Sequence, residues 1–361
     1  MIDSLRVAIL SAAMLLSGCG VDAPDVTAIR EPIIHSLSEL ESLSQIVSAE
    51  RLSGEDAAHY TRLRIANYWR GDLDHLVIYE IVYKTPDGAR LQGFILAPKD
   101  YAEVVYPILI RSEPEGYAGG LSWLGRRDAV RFSTEGFIVM QFNHRHDRGN
   151  RAQEYDLYDT TLLANLQGGR PSQYGGADLY DITTLIDISE HFGFSADELF
   201  LKGDMRTYIL LRHETRIDAA ITYRAIADFE SFYMAFVDDI EFIRELARER
   251  NQPQELTDAM TASHKLTLER IRAATGGSIE EAPEEFFNRS AIHWADEIDT
   301  PILFLEGPRE FLHGTQGVYD LMREAGRDVK RVVGETITLG EFEEKLFESA
   351  IYWLRTRPIN Y

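Results

Sequence analysis

Leu199-Phe200-Leu201-Lys202-Gly203-Asp204-Met205-Arg206-Thr207-Tyr208 is the stretch whose reading decides the fold. Leu199 to Leu201 is an apolar run of strand length. Gly203 follows, where a chain can turn sharply. Tyr208-Ile209-Leu210-Leu211 then opens a helical pattern. A strand that turns tightly into a helix lifts one side chain clear of the sheet edge, a position suited to a nucleophile. Here that side chain is Met205. A thioether cannot attack a carbonyl as a serine alkoxide does, so the stretch has the frame of a reactive site without its reactive group.

Strands are expected on both sides of this stretch. Residues 76–84 form a strong β pattern, Thr85-Pro86-Asp87-Gly88 is a turn, and residues 89–99 return as the partner strand. Continuous apolar runs at 106–110, 136–143, 217–223 and 301–305 suit buried parallel strands. Helical periodicity appears at 178–192, stopped by Gly193, and at 342–354. This alternation implies an α/β fold, a mostly parallel central sheet with helices on both faces. Residues 229–274 depart from it, being long, charged and helical, as in Phe242-Ile243-Arg244-Glu245-Leu246. They are expected to be a helical cap inserted over the carboxyl edge of the sheet. Upstream, Leu37, Leu40, Leu43 and Val47 are spaced as on a helix spanning 36–49 that docks on the domain. No internal repeat or low-complexity tract is present.

At 361 residues, with 45% hydrophobic and 27% charged residues, the chain can bury a large core. Its net charge of −22 argues against nucleic-acid binding and against broad adhesion to anionic lipid. The single cysteine, Cys19, ends Leu16-Ser17-Gly18-Cys19, directly after an apolar stretch at 7–16 that is too short to span a bilayer. The arrangement resembles the lipobox of bacterial lipoproteins. It implies cleavage before Cys19, acylation of Cys19, and attachment to a membrane through that lipid. The alternatives are a plain secretory signal and a buried helix with an incidental cysteine. The expected organisation is a signal peptide at 1–18, a tether and lead-in segment at 19–53, and the main domain at 54–361 with its cap at 229–274. The expected location is the bacterial cell envelope on the periplasmic side, with Gly20 after the cysteine pointing to the outer membrane. No second cysteine is available for an internal disulfide.

Several segments, in order, carry a further resemblance. Lys84-Thr85-Pro86-Asp87-Gly88 with Gln92-Gly93 looks like a leading hairpin, and Gly136-Phe137-Ile138-Val139 like a G-Y-x-V strand. Asp147-Arg148-Gly149-Asn150 looks like the turn that follows that strand. Tyr174-Gly175-Gly176-Ala177-Asp178-Leu179-Tyr180-Asp181 is close to a G-G-x-D-x-x-D helix start. Asn288-Arg289-Ser290-Ala291 looks like an R-S-P segment, and Glu306-Gly307-Pro308-Arg309-Glu310 stands where H-G-x-x-D is expected. From residue 77 onward the chain resembles the α/β-hydrolase domain of the prolyl oligopeptidase family, which includes dipeptidyl- and acylaminoacyl-peptidases. The region upstream is too short for the propeller domain that many members carry.

The resemblance implies a serine nucleophile, a histidine base, an acid to orient it, and donors for the oxyanion. The nucleophile position holds Met205, and Thr207 replaces the second elbow glycine. The acid position holds Glu310, which could serve. The base should lie in 332–339, but Thr336 or Ile337 occupies its place and that loop contains no histidine. The oxyanion loop reads Arg111-Ser112-Glu113-Pro114-Glu115-Gly116, and Pro114 has no N–H to donate. No catalytic residue is therefore expected; Met205, Glu310 and Ile337 mark degenerate triad positions.

Pocket candidates are Glu113, Asp204, Arg206, Glu306 and Glu310, all at the carboxyl ends of strands, where open α/β sheets bind ligands. The carboxylates could hold a cationic group, or could pair internally with Arg111, Arg206 and Arg309. Met205 could fill the space of a former pocket. His144, His146 and Asp147 could share one face of an extended segment, but lack cysteine companions and suit a solvated turn better than a metal site. A Ser112–His144 dyad is disfavoured further. No metal and no cofactor are expected. The reading that follows is an inactive hydrolase-fold lipoprotein that binds a peptide, small molecule or protein. An active peptidase or esterase with an unrecognised site, and a purely structural envelope lipoprotein, are the alternatives.

Overall fold

The computed structural model describes residues 37–52, 75–112, 127–142, 174–192, 198–223, 225–306, 314–334 and 339–356. Its strands are β1 Ile46–Arg51, β2 Leu76–Lys84, β3 Arg90–Pro98, β4 Ile108–Ser112, β5 Ile138–Phe142, β6 Leu199–Gly203, β7 Ala219–Tyr223, β8 Ile302–Glu306 and β9 Val329–Val333. They form one nine-stranded sheet in the order β1-β2-β3-β5-β4-β6-β7-β8-β9. β1 is antiparallel to β2, β2 to β3 and β3 to β5; every pairing from β5 to β9 is parallel. The β2–β3 hairpin closes where Gly88 takes φ 83 and its N–H donates to the Thr85 carbonyl at 2.9 Å. A left-handed φ of this kind is open to glycine at no steric cost.

The helices are α1 Arg127–Thr134, α2 Leu179–Ser189, α3 Met205–Leu211, α4 Phe229–Glu249, α5 Gln254–Thr275, α6 Pro283–Arg289, α7 Thr315–Glu324 and α8 Leu339–Arg355. Buried side chains sort into two cores, one on each face of the sheet. In β6, Leu199 and Leu201 join the first core and Phe200 the second, the period-two alternation of a strand covered on both sides. Apolar residues of α2 and α3 fill the first core. Those of α1 and α8 fill the second, where the rings of Phe132 and Phe347 pack at 4.8 Å, tilted by 58°.

Three expectations need correction or refinement. Of the stretch expected as a helix at 36–49, the described residues 37–49 do not form an α-helix: a 3-10 helix, Leu37–Ser42, is followed by β1. Leu37, Leu40 and Leu43 are buried, but Val47 is 42% exposed. A spacing of three suits a 3-10 turn as well as an α-helix, and the backbone of β1 gains hydrogen bonds by pairing with β2. β9 was not anticipated; its Val329-Lys330-Arg331-Val332-Val333 lacks the apolar run of the inner strands. The helical segment expected at 229–274 is two helices, α4 and α5, separated at Asn251, which takes φ 50.

Candidate functional site

The carboxyl ends of β4, β6 and β8 assemble the site. Ser112, the last residue of β4, lies opposite Gly203, the last of β6. Asp204 follows in extended conformation and caps α3, its Oδ1 accepting the Arg206 backbone N–H at 3.0 Å. The Asp204 carbonyl accepts the Thr207 N–H at 2.9 Å. Met205 is the first helical residue and is 4% exposed. Among the described non-glycine residues only Tyr174 and Asn251 have positive φ, so Met205 carries no left-handed strain. A working nucleophile elbow is a sharp, strained turn with its reactive atom exposed. This one is relaxed, capped and buried.

Gly203 does not supply the sharp turn expected of it. It stays in the strand, and its φ is not positive. What it contributes is space: a Cβ there would lie 2.1 Å from Ser112 Oγ and 2.5 Å from Thr207 Oγ1. The change of direction falls to Asp204, whose side chain satisfies a donor that the first turn of a helix otherwise leaves open.

The Arg206 guanidinium is buried and tied on two sides. Its Nε and Nη2 donate to Asp204 Oδ1 and Oδ2, each at 3.0 Å, and Nη2 also donates to the Ser112 carbonyl at 2.9 Å. Burial works against this charge, but the carboxylates of Asp204, Asp178 and Asp181 more than offset it and hold the pKa above the usual arginine value. Asp178 and Asp181 are both buried at the start of α2. Asp178 Oδ1 accepts the Gly175 N–H at 3.0 Å.

Glu306 ends β8 and is likewise buried. Arg331 of β9 grips it with two bonds, Nε to Oε1 at 2.8 Å and Nη2 to Oε2 at 2.6 Å. The hydrogen bond to Glu306 is the main reason the Arg331 pKa is raised. On the same face, Tyr208 places its hydroxyl 3.3 Å from Thr222 Oγ1, and burial, joined by the field of Glu306, pushes its phenol above the usual range. Arg111, also buried, donates from Nη1 to Gln141 Oε1 at 2.9 Å.

Asp204 and Arg206 are thus brought together, and Glu306 is brought to an arginine that sequence reasoning missed. The signal for Arg331 was a pair of charges, Lys330 and Arg331, among valines, and Arg331 becomes a partner only once β9 is placed beside β8. Two carboxylates considered for a cationic ligand are engaged by the protein's own guanidinium groups. Glu113, Glu310, Thr336, Ile337, Arg309, Cys19, His144, His146 and Asp147 lie outside the described residues.

No family model matches the sequence. An uncharacterised peptidase of Bacillus subtilis (strain 168) is 22% identical over 269 residues, covering 70% of this chain and 34% of its own length. The acylaminoacyl peptidase of Pyrococcus horikoshii superposes with a TM-score of 0.54 at 13% identity, over 80% of this chain and 43% of that one. A puromycin-hydrolysing peptidase of Mycobacterium tuberculosis gives a TM-score of 0.54 at 14% identity, over 78% and 39%. Dipeptidyl peptidase 4 of Porphyromonas gingivalis gives 0.51 at 15%, over 77% and 35%. The chain spans about a third of the length of the curated relative it matches. It has the α/β-hydrolase fold, and its likenesses in sequence and in structure run to peptidases of the prolyl oligopeptidase type.

Proposed function

We propose that this protein is a hydrolytically inactive relative of the prolyl oligopeptidase-type hydrolases, anchored in a bacterial envelope by a lipid on Cys19. In this reading it works by binding a peptide, a small molecule or a partner protein, not by cleaving one. The observation that carries it is the elbow. Met205 stands at the apex, buried and unstrained, and the Arg206 N–H is taken by Asp204. That N–H follows the nucleophile position, and in the hydrolase arrangement it would serve the oxyanion. Loss of the nucleophile and loss of a free oxyanion donor fall on adjacent residues, so one substitution does not undo both.

The retained sheet and the helical insertion support a binding role, because a scaffold with no function would have no reason to keep its form. A specific observation favours a second reading, a structural envelope protein without a ligand. Asp204 and Glu306 are each held by an internal arginine, which leaves neither ready to receive a cationic ligand. A fluorophosphonate probe tests the shared core of both readings. The expected result is no labelled serine after digestion and mass spectrometry; stoichiometric labelling of one serine would overturn the inactive assignment.

A further inference from the structure

The hairpin of α4 and α5 has two unlike sides. The Tyr233 hydroxyl accepts a hydrogen bond from Arg272 Nε at 2.9 Å, and Asp239 stands 3.6 Å from His264 Nε2, so the two helices run antiparallel. On α4, Phe242 and Leu246 follow Asp239 by three and seven residues; on α5, Met260 and Leu256 precede His264 by four and eight. Those intervals keep each row on one helix face, and the Asp239–His264 contact sets both rows on the same side of the hairpin. Counting on from that contact, Phe242 comes level with Met260 and Leu246 with Leu256, to within a residue. Phe242 is 63% exposed, Leu256 47% and Met260 43%, and Leu246 is half-buried. The opposite side is charged. Lys265 Nζ donates to Asp258 at 2.8 Å, and that bond, with the charge of Arg244 behind it, holds the Asp258 carboxyl below its usual range.

Carboxylates border the apolar side. Asp238, Glu245 and Glu249 lie four residues before Phe242, three after it and seven after it. All three are exposed, and their side chains enter no hydrogen bond or ion pair among the described residues. Arg250 is the C-cap of α4, at the negative end of the helix dipole, and residues 254–264 of α5 include no lysine or arginine.

We infer that this side of the hairpin, from Phe242 to the turn at 250–253, is a docking surface for a cationic amphipathic helix of a partner protein. The seam between two antiparallel helices accepts a third, whose apolar stripe meets Phe242, Leu246, Leu256 and Met260. Lysines or arginines beside that stripe meet Asp238, Glu245 and Glu249. The same carboxylates, on a chain of net charge −22, oppose a second copy and an anionic lipid surface at this face. The surface uses no residue of the elbow, and it stands whether or not the chain hydrolyses anything or carries a lipid.

The test is binding of a fluorescent leucine–lysine peptide, about 18 residues long and patterned as an amphipathic helix, to the full chain. Saturable binding of one peptide per chain is expected. A scrambled peptide of the same composition, without the apolar stripe, should bind at least about tenfold more weakly. Phe242→Ser with Met260→Ser should weaken the patterned peptide by about tenfold or more. Asp238→Asn with Glu245→Gln and Glu249→Gln should weaken it comparably and flatten its salt dependence. Glu241→Gln with Glu255→Gln and Glu269→Gln removes as much charge away from the apolar side and should leave binding within about twofold. Every substituted side chain is exposed, and the two charge triples differ only in where on the hairpin they fall, so a folding defect does not mimic the contrast. Three results overturn the inference. They are no saturable binding of the patterned peptide, equal losses from the two charge triples, and self-association or binding to phosphatidylglycerol vesicles that Phe242→Ser with Met260→Ser abolishes.

Discussion

Asp204 receives both the backbone N–H and the guanidinium of Arg206, two residues further along the chain. One carboxylate thus starts the helix and neutralises the cation that the helix buries. Asp204→Ala should cost at least about 3 kcal/mol, because it removes a cap and leaves a buried charge short of its nearest partner. Urea unfolding measures this. Asp204→Ala with Arg206→Met should recover much of the loss; a single-variant loss under about 1 kcal/mol would mean Asp178 and Asp181 alone suffice for the arginine.

Met205→Ser should not restore hydrolysis of chromogenic esters or dipeptide amides. A serine there would start a helix rather than stand on a strained turn, and the neighbouring N–H would still belong to Asp204. Turnover above the background of the parent protein would mean that a histidine reaches the elbow.

Gly203→Ala should destabilise by roughly 1–3 kcal/mol, the range of overpacking in a close-packed interior. The added Cβ would meet Ser112 Oγ at 2.1 Å. Combining it with Ser112→Ala should relieve part of the loss in the same unfolding assay. Equal losses with and without that second change would place the obstruction elsewhere.

Leu16-Ser17-Gly18-Cys19 motivates a localisation experiment. In a bacterial host the parent chain should sediment with membranes and carry a lipid-modified Cys19, while Cys19→Ala should pass to the soluble fraction. A variant that still sediments would refute attachment through this cysteine alone.

Acid should weaken the link between α2 and the turn before β7. Arg216 donates to Glu214 at 2.8 and 2.6 Å and to Asp187 at 2.8 Å. The hydrogen bonds from Arg216 hold the Glu214 carboxyl below the usual glutamate range. A lowered folded-state value means the stabilisation is complete above the ordinary glutamate pKa and is lost as pH falls through the lowered one. Since Arg216 is 34% exposed, the effect should be about 1 kcal/mol or less. Glu214→Gln should therefore be less stable than the parent near neutral pH and equal to it in strong acid; a gap that widens in acid would contradict this.

Much of the sheet could be read from apolar runs. β2, β4, β5, β6, β7 and β8 each present a local stretch that is buried on both faces and so advertises itself. β1 and β9 could not be read so easily, because outer strands are half solvated and need fewer apolar residues. Leu37, Leu40 and Leu43 marked burial but not the backbone form that achieves it. At the site, Asp204 and Arg206 are close in sequence, and their pairing is visible there. Glu306 and Arg331 are 25 positions apart and meet only through the parallel register that sets Phe304 against Arg331. The relaxed backbone of Met205 has no signature at all in residue identity; it is a property of the cap and of the helix together.

The seating of α8 bears on how the protein is made. Leu346, Phe347, Ala350, Ile351, Trp353 and Leu354 supply much of the second core, and the Arg355 guanidinium reaches back to the Glu135 carbonyl at 2.6 Å. Synthesis proceeds from the amino end, so the part of this side of the sheet that α1 does not cover stays bare until residues 339–355 have emerged. A newly made chain therefore passes through an interval in which Leu303 and Leu305 of β8 lack their α8 cover. Truncation before α8 would leave that face exposed for good, an adhesive surface for chaperones and for other unfinished chains.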